Sequence, residues 1–222
     1  MAKMSRLYFD RELEELHTDL IKMAAMIEEA IAKSVKALEP ENRALAGDVI
    51  AGDKAVDALE TQIEARCMRL LLLQQPVAKD LRAISTAMKM ITDMERVGDQ
   101  AADIADIALR LGNNNIYKYC PHIPKMAQIA ISMLNDSITS FINSDLALAL
   151  QTIERDDEVD DLFDVVKDDL ISTLKSNPEL ADIAIDSMMI AKYLERIGDH
   201  AENICEWVEF FETGVHKKTQ IL

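Results

Sequence analysis

Four carboxylate pairs recur at matched places in this chain of 222 residues: Asp53 with Asp57, Glu95 with Asp99, Asp156 with Asp160, and Glu195 with Asp199. The members of each pair are four residues apart, so on an α-helix they stack on one face. Oxygen-only donor sets of this kind suit hard cations such as Mg, Ca, Mn or Fe, and they also accommodate Zn. Without a cation, like charges at this spacing destabilise a helix by about 0.2–0.5 kcal/mol per pair, and partial burial adds to the cost. One such pair is ordinary in an acidic helix, where solvation and neighbours such as Arg96, Arg196 and Lys192 satisfy it. The doubled set asks for more than that.

The doubling shows in the words around the pairs. "ERVGDQAADIA" (95–105) and "ERIGDHAENIC" (195–205) agree at six of eleven positions. Each holds a glycine, Gly98 or Gly198, in an otherwise helical pattern, where it costs about 1 kcal/mol relative to Ala. A glycine there lets a facing helix or a bound ion come close. Asp103 and Asn203, one turn further along, extend the oxygen stripe as weaker candidate ligands. Glu154 to Asp161 reads on its own as a solvated helix face. His200 is expected to be a satisfied histidine before it is a ligand.

The elements that position these residues follow from apolar spacing. Leu13, Leu16, Leu20, Met23, Ile27, Ala30, Ala37 and Leu38 mark a helix ending near Pro40. Val56, Leu59, Ile63, Cys67, Leu70 and Leu73 mark a second, running to Pro76. A third runs from about Leu81 through Ile84, Met94, Val97 and Ile104 to Gly112, and "GNNN" follows as a cap and linker. The second half repeats this. A helix after Pro124 reaches about Ile142, and "NSD" (143–145) offers a capping Ser or Asp. One helix then runs to about Ser176, "NPE" (177–179) offers an N-cap Asn and an N1 Pro, and a last helix reaches about Phe211. The fold class is all-α: two tandem, duplicated three-helix bundles (1–114 and 115–222) with long antiparallel helices. A helix of thirty residues is about 45 Å long.

Antiparallel hairpins set the pairs level. Asp57 and Glu95 lie equally far in sequence from Pro76, and so do Asp53 and Asp99. Asp160 with Glu195, and Asp156 with Asp199, match across Pro178 to within one residue. Height matching in both halves favours two cation sites over solvated carboxylates.

Composition limits the function. The net charge is −16, which repels phosphate backbones and anionic lipid and so argues against nucleic acid. Only 5% of residues are aromatic, as in helix-on-helix cores built from Leu, Ile, Val, Met and Ala. The odd cysteine count (Cys67, Cys120, Cys205), without CxxC spacing, reads as reduced cytosolic thiols. No signal peptide opens the chain, and no apolar run is long enough to span a bilayer, so a membrane role has to go through a partner. A ferritin-type di-metal oxidase needs two Glu-x-x-His motifs, and only Glu14 with His17 fits. No nucleophile elbow or Gly-rich phosphate loop supports a hydrolase.

"GDKAVDALE" (52–60), "QQPVAKDLRAI" (74–84), "DMERVGDQAADI" (93–104), "DDEVDDL" (156–162) and "YLERIGDHAENICE" (193–206) resemble the PhoU family across essentially the whole chain. The resemblance implies two three-helix repeats and homodimerisation. It implies metal at Asp53, Asp57, Glu95 and Asp99, and at Asp156, Asp160, Glu195 and Asp199: iron or zinc first, with Mg, Mn or Ca as alternatives. It also implies a non-enzymatic negative regulator of the phosphate regulon that modulates phosphate uptake. Such a protein is a cytoplasmic adaptor between the ATPase of the Pst phosphate ABC transporter and a phosphate-sensing histidine kinase, recruited peripherally to the membrane's inner face. A metal-independent helical scaffold is the rival reading.

Overall fold

The computed structural model describes residues 2–73, 78–217 and 219–221. Three long helices form the first half: α1 (Ala2–Lys36), α2 (Leu45–Leu73) and α3 (Ala78–Leu111). The second half holds α4 (Ile123–Asn143), α5 (Leu146–Ile153), α6 (Asp156–Ser176) and α7 (Ala181–Thr213). Short 3-10 turns at Pro40–Asn42, Ile116–Lys118 and Pro178–Leu180 join them. The turn expected at Pro76 lies outside the described residues.

Within each half the helices pack on one another, and α3 lies against α7 to join the halves. The predicted stripes form the core: Leu16, Leu20, Met23 and Ile27 on α1, Val56, Ile63 and Cys67 on α2, and Ile84, Ile91, Val97 and Ile104 on α3 are buried. They merge with α4, α6 and α7 residues such as Met133, Val166 and Ile190 into one cluster. Burial pushes the Cys67 thiol up to about 12, and it does the same for Cys120 and Cys205, so these thiols pack as small apolar groups.

α3 and α7 run antiparallel, and the paired residues show it. Arg110 at the end of α3 meets Asp186 near the start of α7, 3.2 Å apart. Asp93 accepts from His200 Nδ1 at 2.9 Å and from Asn203 at 3.3 Å. Tyr193 donates to Asp103. Asp93 and Tyr193 are equivalent positions of the two copies, and so are Asp103 and Asn203. The interface is therefore roughly two-fold, with each half presenting the same turn of helix to the other.

The structure differs from the sequence reading in three places. The single helix expected from residue 145 to 176 is two: α5 ends at Ile153 and α6 begins at Asp156. Arg155, between them, is held by Asp136 of α4 at 2.7 Å. The acidic run Asp156, Asp157 and Glu158 fills the first turn of α6, where negative charge complements the helix dipole. Asn177 makes no side-chain cap bond, and Pro178 opens a 3-10 turn before α7. Beyond Gly214, whose φ of +79° ends α7, a small hairpin pairs Val215–His216 with Thr219–Gln220.

Candidate metal centres

The facing helices bring three carboxylates together in each half. One oxygen each from Asp53 and Asp57 of α2 and from Asp99 of α3 lie within 4.8 Å of one another. The same holds for Asp156 and Asp160 of α6 and Asp199 of α7. Glu95 and Glu195, the fourth members expected of each set, stand beside these triads and not in them. Glu95 lies 3.4 Å from the Arg96 guanidinium, and Glu195 pairs with Lys192. Both glutamates still share the field of the triads: after burial, Glu195 raises Asp160 and Asp199, and Asp99 and Asp57 raise Glu95. In the first triad, Asp99 also lies 3.1 Å from Arg96.

The glycines explain how the helices come this close. A Cβ built on Gly98 meets Val56 Cγ1 at 3.3 Å and Asp53 Oδ1 at 3.7 Å. A Cβ on Gly198 meets Asp156 Oδ1 at 3.1 Å and Val159 Cγ1 at 3.5 Å. Each glycine thus faces a valine that seals the core and an aspartate of the triad. The local sequence sets this up: Asp53 and Val56, like Asp156 and Val159, put a carboxylate one turn before a core residue on one helix edge.

The carboxylates sit in a field that opposes their charge. Burial, then Asp57, Asp99 and Asp103, hold Asp53 above the usual carboxylate range. Burial and then Glu195 raise Asp160 and Asp199. Burial and then Asp99 raise Glu95. Asp156 is pushed up to about 7, by burial first and then by Glu202, Asp199 and Asp160. Its Oδ1 is buried and has no hydrogen-bond partner. A cation bound by the triad would satisfy that oxygen and relieve the repulsion in one step. The donors fit a hard or borderline divalent ion; the thiol and imidazole donors that favour softer metals are absent from both triads.

The outlying candidates lie elsewhere. Asp103 accepts from Tyr193 while its charge still acts on Asp53. Asn203 donates to Asp93, away from the second triad. Both belong to the contact between the halves. His200 is satisfied by Asp93. His17, the one histidine of an ExxH motif, packs against Phe141 with ring centroids 5.4 Å apart and belongs to neither triad.

Sequence reasoning missed Glu202, the carboxylate that acts most strongly on Asp156. It lies one turn beyond Asp199. The signal was present, but the equivalent residue of the first copy is Ala102, and comparing the copies draws attention to what they share.

The family model for the PhoU domain matches the chain twice, at residues 20–108 and 123–208. The chain is 35% identical over 212 residues to a phosphate-specific transport system accessory protein PhoU homolog of Clostridium acetobutylicum, covering 95% of this chain and 97% of that one. It is 40% identical over 186 residues to the Aquifex aeolicus protein of the same description, covering 84% of each. The crystal structure of PhoU from Pseudomonas aeruginosa superposes with a TM-score of 0.88 at 29% identity, covering 93% of this chain and all of that one.

Proposed function

This chain belongs to the PhoU family, and from that premise we propose that it is a metal-dependent accessory protein of phosphate-specific transport that keeps the phosphate-starvation response off when phosphate is plentiful. In this reading it is a non-catalytic adaptor. It links the ATPase of a phosphate transporter to a sensor histidine kinase, works at the cytoplasmic face of the membrane, and forms a homodimer. The relatives' descriptions support the transport role. No helix among the described residues is long and apolar enough to cross a membrane.

The observation that carries the metal-dependent form of this reading is the orphaned, buried Oδ1 of Asp156 inside one of two like-charged triads. Asp53, Asp57 and Asp99 would hold one ion, and Asp156, Asp160 and Asp199 the other. An ion there fixes α2 to α3, or α6 to α7, by supplying positive charge beyond that of Arg96 and Lys192. It makes the spacing of each helix pair, and so the outer surface offered to partners, sensitive to cation occupancy.

The test is genetic, with a biochemical check. A strain lacking this protein is expected to express phosphate-starvation genes in rich phosphate. The wild-type chain should restore repression, and pull-downs should recover the transporter ATPase and the kinase. A chain with all six triad aspartates changed to asparagine should fold, lose its metal on elemental analysis, and fail to restore repression. Full restoration by that variant would favour a metal-independent scaffold. Normal repression in the deletion strain would remove the regulatory reading itself.

A further inference from the structure

α7 continues into a hairpin that folds back on it. The His216 ring stacks on Trp207 with centroids 3.8 Å apart and planes 14° from parallel. The Lys217 ammonium lies 3.0 Å from Glu206, whose side chain is largely buried. That contact places a cation at the far end of an acidic run. Glu195, Asp199, Glu202 and Glu206 follow at helical spacing along α7. Glu202 stands in the middle: it feels Glu206 and Lys217 on one side and Asp199 and Asp157 on the other. The second triad and Lys217 therefore share one set of negative charges.

Among the described residues the first half has no such arrangement. Ala102 stands at the position of Glu202 and Ile107 at that of Trp207, and α3 ends in the turn at Gly112. The hairpin itself is slight. Two residues per strand cannot hold a β-ribbon together in water, so the stack on Trp207, the Lys217–Glu206 pair and the Gly214 cap keep it in place.

We propose that this hairpin is a latch coupled to the second triad: Lys217 serves as a tethered cation for the shared carboxylates, and a metal ion at Asp156, Asp160 and Asp199 competes with it. Metal loading loosens the hairpin, and the seated hairpin weakens metal binding at that triad alone. The two effects are equal by thermodynamic reciprocity. Lys217 is 59% exposed, so solvent screening keeps the coupling near the low end of the usual range, about 5-fold. The proposal rests on the metal-binding reading above, and the experiment separates the two.

Trp207 is the one tryptophan of the chain, so its emission reports the hairpin directly. Zn²⁺ is titrated into metal-free full-length protein, with heat measuring affinity and Trp207 emission measuring the latch. Zn²⁺ should change the emission in wild type and in D53N/D57N, and not in D156N/D160N. K217Q should tighten Zn²⁺ at the second triad about 5-fold, while K217R, which keeps the charge, should bind like wild type. If heat shows Zn²⁺ at the second triad but the emission is unchanged, or if K217Q and K217R bind equally, the latch is overturned and the metal reading stands. If wild type shows no heat of binding, the metal reading fails and takes the latch with it.

Discussion

Asp156 concentrates the electrostatic argument in one side chain. Its folded-state pKa of about 7 lies above the value of 3.8 expected for an aspartate in the unfolded chain. Between these values the folded state binds more protons than the unfolded one, so the metal-free protein loses stability as pH rises from about 4 through 7. Thermal melts of chelator-treated protein at pH 5 and pH 8 should show the drop, and Asp156→Asn should reduce it by removing that ionising group, with the raised Asp53, Asp160 and Asp199 supplying the remainder. Metal reverses the slope: an ion at the second triad displaces the proton, so its affinity should rise through pH 7, more steeply than at the first triad. The level placement of Asp53 with Asp99 and of Asp156 with Asp199 was legible from distances to Pro76 and Pro178. Height does not give the side-chain conformation, however. Glu95 and Glu195 are level with their partners but point toward Arg96 and Lys192. Nor does spacing reveal depth, which is what sets Asp156 apart from Asp160.

At the scale of helices, cap chemistry separates what sequence reports from what packing decides. "NSD" and "NPE" both carry a capping residue before a helix, and only one caps. Asp145 accepts from Leu148 N–H at 3.0 Å and closes the first turn of α5. Asn177 makes no such bond, because Pro178 leads into a 3-10 turn and α7 starts later. Asp145→Ala should therefore cost about 1 kcal/mol in urea unfolding, the usual worth of an N-cap. Asn177→Ala should stay within about 0.5 kcal/mol, as at an ordinary surface site. Equal costs would mean that the Asn177 amide caps after all. The break between α5 and α6 was hidden for a related reason. No Gly or Pro marks it in the sequence, and the interruption comes from a tertiary contact, Arg155 on Asp136, together with an acidic turn that is best placed at a helix start. Helix existence was legible; where one helix yields to the next was set by α4.

Across the whole molecule, the duplication in sequence does not make two independent bodies. α3 buries residues on more than one face: Gly98 turns toward α2, while Gln100 stands at the position equivalent to His200 on the α7 side. One apolar cluster runs through both halves. Separating them would expose the α3–α7 contact, so the halves should unfold together despite the length of the chain. Trp207 emission reports the second half, and far-ultraviolet circular dichroism reports all helices. In urea the two signals should give one coincident transition; independent halves would give a circular dichroism curve broader than the Trp207 curve. Metal sharpens the comparison. In D156N/D160N protein only the first triad remains, far along the chain from Trp207. Saturating it at a hundred times its dissociation constant stabilises the folded state by about 2.7 kcal/mol. With one shared core that stabilisation must appear in the Trp207 transition, moving its midpoint upward even though the second triad is empty. If the halves were independent, the same titration would shift part of the circular dichroism signal and leave Trp207 where it was.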